Sequence, residues 1–224
     1  MPSFEGKFFS IVFLGRQNPQ ILTHDFLMNN RLLPTDREPF RGLLAKRDGT
    51  PFTEFISTPV LTTIKYGPIS MLVEENRYQI RDDTFEHPPT SPIIEITKAY
   101  FGKLLRYTPL QLGGVNLNGL LRFGDINDER QFDERLGVDR GRASGLVASA
   151  DVRVSVNFSL PWHKGTAEIQ LPKPRNPSQP GAINFNYEFQ FTEIDSFLAN
   201  LDDAGLVHDR FRELLDTLRV EVSP

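Results

Sequence analysis

Cysteine is absent from this 224-residue sequence, and tryptophan and methionine are scarce, with one and three residues. Without cysteine the chain has no disulfide framework, no thiolate metal ligand and no cysteine nucleophile. A long hydrophobic run is missing as well, because the N-terminal stretch KFFSIVFL is far shorter than a membrane span. That stretch follows Glu5 and has no small-residue cleavage site, which favours a strand over a signal peptide. We therefore expect a cytoplasmic protein with no membrane association.

Catalytic and nucleotide-binding motifs are missing too. There is no Walker loop, no dinucleotide-binding glycine fingerprint and no HExxH sequence. Residues 141–145 read GRASG, which is the wrong order for a nucleophile elbow. The acidic pairs Glu74-Glu75 and Asp82-Asp83 fall at expected hairpin ends, where adjacent side chains point to opposite faces. We predict a protein that is not an enzyme and that needs no cofactor.

The four histidines form no recognisable metal site. They are His24, His87, His163 and His208, and no two of them have the spacing of metal ligands. The sequence from Asp125 begins like a calcium loop, but Arg130 replaces the glycine of the sharp turn and Leu136 replaces the bidentate glutamate. We predict that the chain holds no metal and that its histidines are structural or lie on the surface.

Phenylalanine is the unusual count, with eighteen residues in a chain that is 39% hydrophobic and 24% charged. This composition is typical of a globular protein, and the length is sufficient for a substantial core in one domain, residues 1–224. The abundance of rings indicates a core built from aromatic side chains on strands and helix faces.

The net charge of −4 is unevenly distributed. Residues 193–224 hold eight acids and three arginines, so this tail is strongly acidic and the remainder is close to neutral. Non-specific nucleic-acid binding needs a clustered positive field, and only two modest basic clusters occur. The first contains Arg31, Arg37, Arg41, Lys46 and Arg47, and the second contains Lys164, Lys173 and Arg175.

The first half of the chain alternates between strand and helix patterns. Residues 7–14 are apolar on both strand phases, which is typical of a strand covered on both sides or facing a partner. Residues 21–33 have helical periodicity, and the charged, proline-rich segment 34–59 predicts a long surface loop. Three strands of a hairpin meander follow, PVLTTIKY, ISMLVEE and RYQIRDD. A helix then begins with Ser91 as N-cap and Pro92 in its first turn.

The second half repeats this order. It begins with the strand PLQLGGVNLNGLLRF, continues through a short charged helix or turn at DINDERQFDERL, and returns to three alternating strands and two helices. In the first of these strands the apolar phase shifts at Gly113-Gly114, which predicts a bulge or bend where this half begins. The halves 6–107 and 110–218 share the order β-α-β-β-β-α, a pseudo-repeat of pattern rather than of residue identity.

The predicted fold is α+β. Two such halves can join edges into one curved, mainly antiparallel sheet of about eight strands, with the long helices on one face. The candidate ligand-binding residues lie on the other, open face and are Asn116, Asn118, Arg122, Asn157 and Asn186. Amide side chains can hydrogen-bond a peptide, a sugar or a base edge. An open sheet face is also polar simply because it meets water, and this one offers almost no aromatic side chains for stacking bases.

Three stretches, FFSIVFLGRQNPQILTHDFL, TPLQLGGVNLNGLLRF and LDDAGLVHDRFRELLDTLRVEV, carry a resemblance that extends over nearly the whole chain. They resemble a broad, sporadically distributed group of bacterial proteins of uncharacterised function. A strand ending in an Asn-Pro turn, a Gly-x-Asn strand and a final His-containing amphipathic helix recur in that group. The resemblance implies an α+β fold and a bacterial or phage source, and it brings no catalytic residues.

The doubly apolar first half and the many phenylalanines favour a non-enzymatic protein-binding or assembly module, because an exposed apolar sheet or edge usually meets a partner. We expect a homodimer or a hetero-complex, and a role as an accessory subunit of a multi-component bacterial system of the defence type. The alternative is nucleic-acid or nucleotide binding on the open concave sheet face. An enzymatic function would require a pocket around Asn116, Asn118 and Arg122.

Overall fold

The computed structural model describes residues 1–41, 52–85, 90–106, 108–139, 153–160, 163–171, 180–189, 194–201 and 204–222. The strands are β1 Ser3–Gly15, β2 Glu54–Ser57, β3 Leu61–Tyr66, β4 Ile69–Glu74, β5 Arg77–Asp82, β6 Leu110–Arg122, β7 Arg153–Leu160, β8 His163–Gln170, β9 Gly181–Phe189 and β10 Glu221–Val222. The helices are a 3-10 turn Pro19–Ile21, α1 His24–Asn29, α2 Pro92–Ala99 with a π-helical turn Tyr100–Leu104, α3 Ile126–Leu136, α4 Ile194–Asn200 and α5 Ala204–Thr217.

The strands form one open, mainly antiparallel sheet, and the α+β fold expected from the sequence is confirmed. Nine strands follow the order β2-β3-β4-β5-β1-β6-β9-β8-β7, and the two-residue β10 pairs in parallel with the start of β1. β2 and β7 therefore lie at the two ends of this order. The described α-helices and helical turns connect strands or follow the last long strand, as the alternating patterns predicted.

Two local predictions need correction. The segment 34–59 was expected to be a surface loop, but it contains β2, which pairs with β3 from Glu54–Lys65 to Ser57–Thr62. All four residues of β2 are exposed, so the strand shows no alternation of apolar and polar residues that could reveal it.

Residues 21–33 do not form one helix, because Thr23 interrupts the run as the N-cap of the six-residue α1 and accepts a hydrogen bond from the Phe26 amide.

The residues pack as two compact units. Unit 1 comprises Met1–Lys7, Leu117–Tyr187 and Leu206–Pro224, and unit 2 comprises Phe8–Asn116 and Glu188–Gly205. Each unit draws most of its residues from one half of the sequence and takes a short segment from the other half. The long strands β1 and β6 contribute residues to both units.

In unit 2 the helical segment after Ser91 covers one face of the strands, which we call the first face. Antiparallel pairing places Phe13 beside Tyr78, and the Phe101 ring lies 4.4 Å from Phe13 and 4.9 Å from Tyr78 between ring centroids. Tyr100 stacks on Tyr78 at 5.0 Å. All four rings are buried, and burial raises the pKa of the Tyr78 and Tyr100 hydroxyls. The first face therefore rests on an aromatic cluster, as the phenylalanine count indicated.

The end of β5 is tied to the start of α2 by a buried carboxylate. Asp82 is 4% exposed and accepts hydrogen bonds from the Ser91 hydroxyl and from the backbone amide and hydroxyl of Thr84. Ser91 also caps α2 at the Ile93 amide, so one serine satisfies both a helix end and a buried acid. Asp82 thus has a structural role rather than that of a free catalytic acid.

In unit 1 the final helix covers its own set of strands. Phe211 of α5 lies 5.1 Å from the Phe4 ring and 5.3 Å from the Phe185 ring. Along β9, residues Ile183, Phe185 and Tyr187 are buried, while the residues between them are half-buried or exposed. The apolar residues that alternate in the sequence of β9 are therefore its buried residues, because one phase of this strand faces the helix.

Gly119 allows the Phe4 ring and the Glu5 backbone to lie close to β6 in unit 1. A Cβ atom at this position would overlap the Phe4 ring and the backbone oxygen of Glu5. Phe4 is fully buried and packs edge-on against Phe211, so its ring has no free space into which it can move. Glycine is required here because the Phe4 ring and the Glu5 backbone oxygen occupy the space that a side chain would need.

We expect Gly119→Ala to lower the free energy of unfolding by about 1–3 kcal/mol, because the added methyl group must displace a packed aromatic ring. Urea unfolding followed by circular dichroism measures this loss. Gly102→Ala is the control, since its Cβ would lie 3.3 Å from the end of the flexible Leu198 side chain and should cost less. In a Phe4→Leu background the cost of Gly119→Ala should shrink. An unchanged cost there would contradict the role of the Phe4 ring.

Candidate functional site

The candidate ligand-binding residues lie in three strands. Asn116, Asn118 and Arg122 alternate along β6 in one phase, where the asparagines are half-buried and Arg122 is exposed. Asn157 lies in β7 opposite Thr166, and Asn186 is exposed in β9. Asn116 belongs to unit 2 and the other four belong to unit 1. Their role in binding stays a prediction.

Arg122 is already paired within unit 1. Its Nε and Nη2 atoms donate to Glu5 Oε2 at 2.9 and 2.8 Å, and Lys7 forms a second ion pair with Glu5. The hydrogen bonds from Lys7 and then from Arg122 lower the pKa of the Glu5 carboxyl. A ligand that used Arg122 would have to replace this charge-assisted contact. Arg122 is therefore the one of these five residues for which the described structure gives a charged partner.

The second face of the unit 2 strands, opposite the aromatic cluster, carries apolar side chains. The strand registers place them in two cross-strand rows together with polar residues, Val12–Gln79–Leu72–Thr63–Ile56 and Leu14–Arg77–Glu74–Leu61. Leu14 is 39% exposed and Ile56 is 48% exposed, while Val12 and Leu72 are half-buried. This is the doubly apolar pattern of the first half, and the structure leaves part of it accessible.

Two charged side chains of this second face, Arg81 and Lys65, contact Asp83. The Arg81 guanidinium lies 4.0 Å from the centroid of the Phe8 ring and forms an ion pair with Asp83. Lys65 Nζ lies 3.9 Å from Asp83 as well. These contacts cover the Phe8 ring and neutralise the charges beside it. The apolar residues toward β2 have no comparable cover from the charged side chains of the described strands.

A basic groove lies beside α2 in unit 2. Its cavity of about 400 Å³ is lined by Arg31, Arg37, Lys98 and Lys103, with Glu95 as the acidic member. Arg37 lies 3.7 Å from Glu95, and burial lowers the pKa of Lys98. The sequence showed the arginines in a loop and the lysines on a helix, and only packing brings them together. Helix periodicity could have placed the lysines on one side of α2, but it could not have placed that side beside residues 31–37.

The two histidines whose side chains are described, His24 and His208, lie close to side chains of the protein. His24 Nδ1 lies 2.9 Å from the Tyr66 hydroxyl, and its ring packs near Phe52 at 6.0 Å. His208 is half-buried in α5, 4.0 Å from Asp209. His87 and the side chain of His163 lie outside the described residues. Within the part of the chain that the structure describes, no three His, Asp or Glu residues are grouped so that they could hold a metal ion.

Comparison with known proteins adds no assignment, since no protein-family model and no curated protein matches this chain. Among the described helices, none has both the length and the apolar character needed to cross a bilayer. The resemblance to the bacterial group named above, the bacterial source and the cytoplasmic location therefore stay predictions.

We expect acid pH to destabilise unit 2 through His24. Burial lowers the pKa of its imidazole below the ordinary value of 6.5, so the unfolded chain takes up this proton more readily than the folded chain. The stabilisation is complete above about pH 6.5 and is lost as the pH falls toward the lowered folded pKa. Urea unfolding at pH 8 and pH 5.5 should show a smaller loss for His24→Asn, which keeps an acceptor near Tyr66. An equal loss in both proteins would assign the pH dependence to other groups.

Proposed function

We propose that this chain is a non-enzymatic assembly module that binds a second copy of itself through the edge of β2 and the adjoining second face of unit 2. The observation that carries the proposal is the exposed strand β2. Phe55 is 39% exposed and Ile56 is 48% exposed, and within the described residues β2 pairs with β3 alone. An edge strand of this kind presents free backbone donors and acceptors together with apolar side chains.

The composition of β2 supports a pairing role. Edge strands that must stay single are usually protected by lysine, proline or a bulge, and β2 has none of these within Glu54–Ser57. Its only charge is Glu54, at the start of the strand. Ile56 lies in the cross-strand row that reaches Leu72 through Thr63, so a partner that pairs with β2 would also cover part of this row.

The sequence of β2 is self-complementary in an antiparallel pair. If a two-fold axis passes beside Ile56, the two Ile56 side chains face each other and Glu54 faces Thr58. If the axis passes beside Phe55, the two rings face each other and Glu54 faces Ile56. In both registers the two glutamates avoid each other, and each register gives the closed, isologous contact of a two-fold dimer. This favours a second copy as the partner.

We expect Ile56→Lys to weaken self-association by at least about tenfold, because it places a charge in the paired edge of both copies. Sedimentation velocity or light scattering over a range of concentrations measures the dimer fraction. The matched control is Val60→Lys, which changes an apolar residue that is 57% exposed in the bend after β2. The proposal fails if the unaltered chain is a monomer at every concentration, or if both variants weaken the dimer equally.

A second candidate function rests on the basic groove. Arg31, Arg37, Lys98 and Lys103 concentrate positive charge in a chain whose net charge is −4. Such a groove can contact phosphates of a nucleic acid or nucleotide by charge alone. We therefore propose anion binding beside α2, whereas the sequence pattern favoured the open sheet face.

Binding of a fluorescent single-stranded oligonucleotide at low salt tests this candidate. The double substitution of Lys98 and Lys103 by Gln should weaken binding and reduce the salt slope of log K by about 1–2. Arg122→Gln, on the sheet face, and Lys7→Gln should leave binding unchanged. Equal effects of all these variants, or no binding to the unaltered chain, would eliminate the groove as a phosphate site.

A further inference from the structure

A second kind of site lies at the end of β1 in unit 2. The segment Leu14–Gln17 and the turn between β4 and β5 enclose a cleft of about 800 Å³. The turn residues Glu74–Arg77 form its other wall. Two backbone hydrogen bonds fix the walls to each other, from the Gly15 amide to the Asn76 oxygen at 3.0 Å and from the Gln17 amide to the Glu75 oxygen at 2.7 Å. These backbone hydrogen bonds therefore hold the two walls of the cleft in place.

Two buried donors of the cleft residues have no acceptor among the residues that the structure describes. Gln17 is 9% exposed, and its side-chain Nε2 has no hydrogen-bond partner. The Nε atom of Arg77 is also buried without a partner, while its Nη2 atom donates to Gln79 Oε1. A buried donor without an acceptor destabilises the folded state, so each of these two donors requires an acceptor, which water or a bound ligand can supply.

The remaining side chains of the cleft carry charges of both signs. Arg16 is exposed, and neither Arg16 nor Arg77 forms an ion pair in the described structure. Glu74 and Glu75 belong to the same wall as Arg77. A simple anion would be repelled by the two carboxylates, and a simple cation would be repelled by the two guanidinium groups. The charge pattern fits a ligand that carries both charges.

We propose that this cleft binds a zwitterionic amino acid or short peptide. The ligand carboxylate accepts hydrogen bonds from Arg77, Gln17 and Arg16, which supplies the acceptor that the buried donors lack. The ligand ammonium lies toward Glu74 and Glu75. Leu14, which is 39% exposed, offers contact to an apolar side chain. The cleft volume is in the range of small-molecule sites and is large enough for more than a single amino acid.

The cleft shares Leu14, Glu74 and Arg77 with the second face, but it does not include β2, the strand that carries the assembly proposal. β2 contributes no residue to the cleft, so Ile56→Lys removes the dimer contact without altering the ligand contacts. The two proposals can therefore fail separately.

Thermal unfolding of the full chain with each of the twenty standard amino acids and L-leucyl-L-leucine, at about 10 mM, tests the site. We expect at least one apolar amino acid or the dipeptide to raise Tm by about 2–6 °C when its concentration is roughly ten times its Kd. For L-leucine, the analogues N-acetyl-L-leucine and L-leucinamide each remove one charge and should bind at least about tenfold more weakly. No Tm increase with any probe would overturn the proposal. An N-acetyl analogue that binds as tightly as its parent amino acid would do the same.

Gln17→Met provides the decisive variant. It replaces the unpartnered amide by an apolar side chain of similar length, so Tm without ligand should stay equal or rise, while the ligand-induced increase in Tm should be lost. Gln20→Met, at an exposed position outside the cleft, is the matched control and should keep the full increase. A ligand response that survives in Gln17→Met would overturn the assignment to this cleft.

Discussion

Strand pairing sends alternate side chains to opposite faces of the sheet, and both aromatic clusters rely on this alternation. In the strands that carry these clusters one phase faces the helices and the other faces away, so a slip of one residue would exchange the two sets. In unit 2 the pairing of β1 with β5 aligns Phe13 with Tyr78, and this aligned pair is what Tyr100 and Phe101 pack against. In unit 1 the same rule places Phe4 and Phe185 against Phe211.

The phase turned away from the helices differs between the units. In unit 1 it carries the candidate Arg122, which already donates to Glu5. In unit 2 it mixes polar and apolar side chains, and Ile56 of β2 is 48% exposed. An exposed apolar side chain on an edge strand gains free energy when a partner covers it. This is why the assembly proposal concerns unit 2.

The two charged sites of unit 2 arise in different ways. The groove beside α2 collects cations with one acid, and this favours phosphate through long-range attraction. The cleft at the end of β1 mixes both signs and adds the unpartnered amide of Gln17, which favours a ligand with a specific arrangement of groups. One site is defined by its net charge, and the other is defined by its hydrogen-bonding requirements.

The α+β class, the phase of the strands and the helix start at Ser91 can be predicted from the amino-acid sequence, because alternation and capping depend on residues a few positions apart. The same alternation puts Asn118 and Arg122 in one phase of β6. Three features follow from tertiary packing alone: β2 is an edge strand, Glu5 binds Arg122 from 117 residues away, and Arg31 lines one groove with Lys98. Strand order and packing join segments far apart in the chain, and local sequence patterns do not record which segments will come together.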